Sequence, residues 1–182
     1  ATQFDYILTV DAHLHRVHDL SEAIPVKKAV NVTATNPMAH FLENNVNSPF
    51  LIGPDSESEQ WVANIAQHYN LNYCIASKQR FGDKDVEVVL PLADYCDRNI
   101  VIVDDVASTG KTLLATARKL AQYKPNTISV LVTHALFIDN AISELHASNV
   151  SNVWSCDTIP HSTNTFQLAD FLADELRQLL MT

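Results

Sequence analysis

The chain has 182 residues, 47% of them hydrophobic and 18% charged, which is enough apolar material for one domain with a sizeable core. Its 12 Lys and Arg against 21 Asp and Glu give a formal charge of −9, so the broad basic footprint that a nucleic-acid partner requires is missing. No apolar run nears the roughly 20 residues that span a bilayer, and the opening ATQFDYILTV carries no charged n-region or cleavage pattern, which predicts a cytoplasmic protein without a membrane partner. That opening also lacks Met and enters a buried-type strand within a few residues, from which we expect that an N-terminal segment has been removed. Cys74, Cys96 and Cys156 are odd in number, far apart and in or beside apolar segments, so reduced structural thiols are expected.

In chain order, the first strand is expected over YILTVDA (6–12), where alternation puts Asp11, His13 and His15 on one face. His13, His15 and His18 each have an ordinary reading as hydrogen-bonded structural histidines. SPFLIGPD (48–55) is a second strand, followed by a helix over SESEQWVANIAQHYN (56–70). Asp55, Ser56 and Ser58 stand where that helix needs an N-cap, and Glu57 and Glu59 suit its first turn. Trp61 reads as a packing residue. NYCIASKQ (72–79) is a third strand; Lys78 and Arg80 share a face near its end and can clamp one diphosphate, or form a solvated charge pair. FGDKD (81–85) reads as a flexible loop before a strand over DVEVVLP (85–91).

The strand NIVIVDD (99–105) precedes a helix over GKTLLATARKLAQYK (110–124), then a strand over TISVLVTHALF (127–137) and a helix over NAISELHAS (140–148). VSNVWSCDTI (150–159) is the last strand, and FQLADFLADELRQLL (166–180) is a closing helix, either core or interface. Strand alternating with helix predicts an α/β fold with a mostly parallel central sheet flanked by helices. Ligands in such sheets collect beyond the carboxyl ends of the strands. The chain has only three glycines, Gly53, Gly82 and Gly110, each in a polar loop after an apolar run, where backbone turns sharply or approaches a ligand.

The stretch VIVDDVASTGKT (101–112) joins two adjacent carboxylates to a small polar turn at a helix N-terminus, an anion site by geometry and dipole. Ser108, Thr109 and Thr112 add hydroxyls, and Ser108 or Thr109 is also a candidate helix cap. A nucleotide P-loop requires glycine five residues before Gly110, and Asp105 stands there. Asp104 and Asp105 instead suit a ligand with vicinal hydroxyls beside its phosphate, the layout of ribose 5-phosphate.

That stretch resembles the phosphoribosyl pyrophosphate-binding motif of the phosphoribosyltransferase fold, in which paired acids take the ribose hydroxyls and the following loop takes the 5-phosphate. The resemblance assigns Asp104, Asp105, Ser108, Thr109, Gly110, Lys111 and Thr112 to the sugar phosphate. Ser108 and Lys111 depart from the usual Asp-Thr-Gly-Gly-Thr form of the loop. TVDAHLH, LIGPDSESEQW, ASKQR and DTIPH resemble, in order, further segments of the ribose-phosphate pyrophosphokinase family. The resemblance implies Mg²⁺ and ATP, with Asp11, His13 and Asp55 on the metal side and Lys78 and Arg80 as catalytic cations. It also implies transfer of a diphosphate from MgATP to the C1 hydroxyl of ribose 5-phosphate, and a homo-oligomer. On that basis residues 1–182 form one phosphoribosyltransferase-like domain, with 1–25 the end of a truncated N-terminal domain. A phosphoribosyltransferase and a non-catalytic sugar-phosphate-binding relative remain the alternatives, while an amidohydrolase lacks the length of its usual barrel.

Overall fold

The computed structural model describes residues 3–14, 20–24, 26–81 and 85–181, with backbone alone at 23, 79–81, 85 and 86. The chain opens with β1 (Tyr6–Val10), a one-turn α1 (Leu20–Ala23) and β2 (Lys28–Val32), followed by α2 (Thr35–Asn45) and β3 (Pro49–Gly53). Then come α3 (Glu59–Tyr69), β4 (Asn72–Ile75), β5 (Ser77–Phe81), β6 (Asp85–Val89), β7 (Asn99–Ala107) and α4 (Lys111–Ala121). The remainder is β8 (Thr127–Ala135), α5 (Ala141–Ala147), β9 (Asn152–Cys156), β10 (Asn164–Phe166) and α6 (Ala169–Met181).

Six strands form the central sheet in the order β10-β9-β8-β7-β3-β4, and every pairing in it is parallel. The α/β class and the mostly parallel sheet are as the alternating pattern predicts. A strand covered on both faces must be apolar at every position, and β7 meets this with Ile100, Val101, Ile102 and Val103, all fully buried. Its even positions pack with Leu113, Ala117 and Leu120 of α4 and Leu145 of α5. Its odd positions pack with Met38 and Leu42 of α2 and Val62 and Ile65 of α3. The sheet therefore lies between two helical layers, with β7 near its middle and its carboxyl end open to one edge.

Several expectations change. NYCIASKQ is two strands rather than one: β4 closes the central sheet after Ile75, and β5 leaves to pair antiparallel with β6. DVEVVLP therefore belongs to a separate hairpin, docked by Val88 and Leu90 against the α4 side of the core. β2, α2 and β10 were not expected. α2 begins Thr-Asn-Pro, weak helix formers, but Pro37 falls in the first turn, where its missing N–H costs nothing. Its buried residues Thr35, Met38, Ala39 and Leu42 give the helical spacing.

β1 and β2 pair parallel as a separate two-stranded sheet. β1 stops at Val10, and Asp11 has φ +41. The alternation expected for Asp11, His13 and His15 therefore does not extend that far. His15, His18 and Gly82 lie outside the described residues, as does most of the FGDKD loop. Among the described residues, Cys156 is buried and Cys74 half-buried, as expected of structural thiols, while Cys96 is exposed on a loop, which the sequence did not indicate.

Candidate functional site

Because the central strands run parallel, their carboxyl ends gather along one edge. β7 delivers Asp104 and Asp105 there and runs on through Ala107 into Ser108, Thr109 and Gly110. Gly110 has φ +67, a left-handed conformation that disfavours side chains with a Cβ. It is the N-cap of α4, and no side chain caps that helix. Ser108 and Thr109 are thus exposed hydroxyls rather than caps. Asp104 and the loop from Val106 to Leu113 line a cavity of about 180 Å³ in front of the uncapped helix start. Ser108, Thr109, Gly110, Lys111 and Thr112 all border it, so this part of the expected constellation is brought together.

A second group stands at the end of β3. Gly53 is required by packing: a Cβ there would lie 2.5 Å from Ser58 Oγ and 2.6 Å from Ile75 Cδ1. Two residues on, Asp55 caps the single 3₁₀ turn Ser56–Ser58, and its Oδ1 accepts from the Glu57 amide at 3.2 Å. Its Oδ2 accepts from Lys78 Nζ at 2.8 Å. Asp55, Ser56, Glu57 and Lys78 border a cavity of about 350 Å³. The expected catalytic lysine and the expected metal-side carboxylate thus neutralise each other in the free chain. Arg80 lies in β5 two residues beyond Lys78, and its side chain is outside the described residues.

Burial, then the charges of Asp105 and Asp55, push the Asp104 carboxyl up to about 8. The negative charge around Asp104 forms a field that a cation relieves. Among the described residues, no group of three or more His, Cys, Asp or Glu side chains is arranged to hold a metal by itself.

The third group centres on Asp11, which is 3% exposed. Its Oδ1 accepts from Trp61 Nε1 at 2.8 Å, and its Oδ2 accepts from the Ala34 amide at 3.0 Å and Thr133 Oγ1 at 2.9 Å. Expected on the metal side, Asp11 stands as a buried acceptor for three donors. His13 behaves differently: half-exposed, it meets Asp105 Oδ2 through Nδ1 at 2.6 Å. Sequence reasoning missed His134, whose Nε2 lies 3.0 Å from the Val10 carbonyl and whose Nδ1 lies 3.0 Å from Thr158 Oγ1. Thr158 comes from the DTIPH stretch, so that segment meets the end of β8. Trp61 is a packing residue, as read, but its indole N–H also holds Asp11. Nothing in the local sequence around Trp61, Thr133 or His134 signals these contacts, since each partner is at least 24 residues away.

Comparison with known proteins adds three findings. The phosphoribosyl transferase domain profile matches residues 31–174. Ribose-phosphate pyrophosphokinase 3 of Saccharomyces cerevisiae is 25% identical over 96% of this chain and 57% of its own length, and the ribose-phosphate pyrophosphokinase of Methanopyrus kandleri is 28% identical over 96% and 60%. The chain therefore spans a little over half the length of these relatives. The crystal structure of phosphoribosylpyrophosphate synthetase from Mycobacterium smegmatis superimposes with a TM-score of 0.80 at 18% identity, covering 98% of this chain and 60% of that one. The likeness in structure is one of fold.

Proposed function

The chain belongs to the phosphoribosyl transferase domain family, and we propose that it carries the sugar-phosphate part of a ribose-phosphate pyrophosphokinase site. The observation that carries this reading is the single cavity shared by Asp104 and the loop Ser108–Gly110, at the open start of α4. The amides and hydroxyls of Ser108, Thr109, Gly110 and Thr112, with Lys111, take the 5-phosphate. The Asp104 carboxyl hydrogen-bonds the ribose hydroxyls. The names of the relatives support diphosphate transfer over use of phosphoribosyl pyrophosphate.

In the proposed reaction the C1 hydroxyl oxygen of ribose 5-phosphate forms a bond to the β-phosphorus of ATP. The bond from that phosphorus to the oxygen bridging it to the α-phosphate breaks, AMP leaves, and the hydroxyl proton is released. Lys78 and Arg80 meet the charge on the diphosphate in transit. Bound Mg²⁺ supplies charge neutralisation on the phosphate oxygens. The residues fit such an ion: Mg²⁺ is held by one or two carboxylates with substrate phosphates and waters rather than by an all-protein cage, and Asp55 offers a carboxylate at the border of the cavity at the end of β3. The resemblance assigns Asp11, His13 and Asp55 to the metal side; of these, Asp11 already accepts from Trp61, Ala34 and Thr133. For Lys78 to act on the diphosphate, its ion pair with Asp55 must exchange when the ligands arrive.

The test is ³¹P NMR of the protein with ribose 5-phosphate, ATP and Mg²⁺. The expected result is AMP together with a new anomeric diphosphate. Retained binding of ribose 5-phosphate without either product would leave the sugar-phosphate site and remove the transfer. Absence of binding would overturn both.

A further inference from the structure

The turn between β8 and α5 holds the loop Ser108–Gly110 at two points. It is closed on itself: Leu136 N–H donates to the His134 carbonyl at 3.1 Å and Ala141 N–H to the Ile138 carbonyl at 3.2 Å, with Asp139 at φ +51 between them. From one end of this turn, Ile138 N–H donates to the Ser108 carbonyl at 3.2 Å. At the other end, the buried Ala141 methyl lies 3.4 Å from where a Gly110 Cβ would stand. The first contact decides which way a peptide faces. In a trans peptide the carbonyl of one residue and the N–H of the next point in opposite directions, and no peptide bond among the described residues is cis. With the Ser108 oxygen held by Ile138, the Thr109 N–H points away from the turn. Ser108 and Thr109 border the cavity at the start of α4, whereas Ile138 does not. The Gly110 oxygen is held in a similar manner, by Leu114 N–H at 2.8 Å, which aims the Lys111 N–H out of the helix start.

We propose that Ile138 is a positioning residue for the sugar phosphate, acting through its backbone N–H: it fixes the Ser108–Thr109 peptide so that the Thr109 N–H is offered to the 5-phosphate. A peptide turned the other way would present the partial negative charge of its carbonyl to the anion instead. The loop does not fix this orientation by itself. Ser108 and Thr109 are exposed, no side chain caps α4, and Gly110 leaves the backbone free to turn. Ile138 therefore does for the Ser108 carbonyl what the first turn of α4 does for that of Gly110. The proposal rests on the reading of this loop as the holder of the phosphate, and adds that its affinity depends on a residue that does not touch the ligand.

The test uses the full chain labelled with ¹⁵N. In the unliganded protein the Ile138 amide is expected to exchange with solvent at least about tenfold more slowly than in an open peptide of the same sequence. Exchange at the open-peptide rate overturns the proposal with no variant and no ligand. Saturating inorganic phosphate is expected to move the Thr109 amide proton downfield, and a Thr109 amide that does not respond overturns it as well. Ile138→Ala trims the side chain and keeps the N–H, so it is the reference for Ile138→Pro, which removes the donor. Relative to that reference, Ile138→Pro is expected to raise the Kd for ribose 5-phosphate and for inorganic phosphate by the same factor, about 3–10-fold, and to shrink the Thr109 shift, with the urea midpoint little changed. Equal affinities in the two variants overturn the proposal. A loss for ribose 5-phosphate that inorganic phosphate does not share places the effect at the sugar and also overturns it. Should Ile138→Pro not fold, the α-hydroxy analogue of isoleucine at position 138 replaces the N–H by an ester oxygen, keeps the side chain, and is read in the same way against the unmodified chain. If the wild-type chain binds neither ribose 5-phosphate nor inorganic phosphate, the sugar-phosphate reading fails and takes the role of Ile138 with it, whereas exchange of the Ile138 amide still reports whether the bond to Ser108 exists.

Discussion

Asp11 shows how much a single residue contributes once its partners are known. Three donors from α2, α3 and β8 or their flanks converge on one buried carboxylate, so removing it leaves Trp61, Thr133 and the Ala34 amide without their acceptor. Each such loss costs about 1–3 kcal/mol, and Asp11→Ala is expected to destabilise the fold by about 3 kcal/mol or more in urea unfolding. Asp104 supports a prediction of a different kind. Its folded-state pKa, raised from 3.8 to about 8, means that the folded chain holds a proton the unfolded chain has lost. The resulting stabilisation is complete below about pH 4 and disappears as pH rises through about 8. Urea midpoints should fall across that window, and Asp104→Asn should flatten the fall and be the more stable protein at its upper end, by about 2 kcal/mol. A profile unchanged by the substitution would assign the pH dependence to other groups. The sequence made the acid pair visible, but the two environments became distinct only when β7 was flanked by different helices on its two faces.

At the scale of the element, the loop–helix junctions are set by two glycines acting for different reasons. Gly110 turns the backbone into α4 through a left-handed conformation, whereas Gly53 lets Ser58 and Ile75 close around the end of β3. Gly53→Ala should therefore force those neighbours apart and cost about 1–3 kcal/mol, with the capping of the 3₁₀ turn disturbed. Gly110→Ala should cost about 1–2 kcal/mol through its φ, since the added Cβ would meet only Ala141 at 3.4 Å. Thermal unfolding of the two variants checks both, and a neutral Gly53→Ala would mean that the packing relaxes. Both positions were legible as points where the chain must be small, because glycine is so sparsely used. The distinction between turning and packing was not, since Ile75 reaches Gly53 from β4. The break between β4 and β5 was equally hidden, as NYCIASKQ is strand-like throughout and only hydrogen bonding assigns its halves to different sheets.

At the scale of the molecule, the two-stranded sheet of β1 and β2 has little support of its own, since two strands alone are marginal in water. Its hydrogen-bonded links to the central sheet include Asp11, His13 and His134, and Val10 packs against the cluster that holds Cys156. Amides of β1 are therefore expected to exchange with solvent sooner than those of β7 and β8. His134→Phe, which removes the contact to the Val10 carbonyl, should speed exchange over residues 6–10 by about tenfold while leaving β7 nearly unchanged. Uniform protection of β1 and β7, or an equal effect of the substitution on both, would show that the two sheets open as one unit.

The amino-acid sequence by itself determined the α/β class, the mostly parallel sheet, and the Asp104–Thr112 loop, because periodicity and short-range spacing reside in neighbouring residues. Tertiary structure alone decided which acid faces which partner. Asp55 meets Lys78, Asp105 meets His13, and Asp11 meets Trp61 and Thr133, across separations of 23 to 122 residues. No local pattern encodes such pairs. They exist because parallel strands bring their carboxyl ends to one edge, and because a buried polar group in that edge must find its hydrogen-bond partner wherever the fold supplies one.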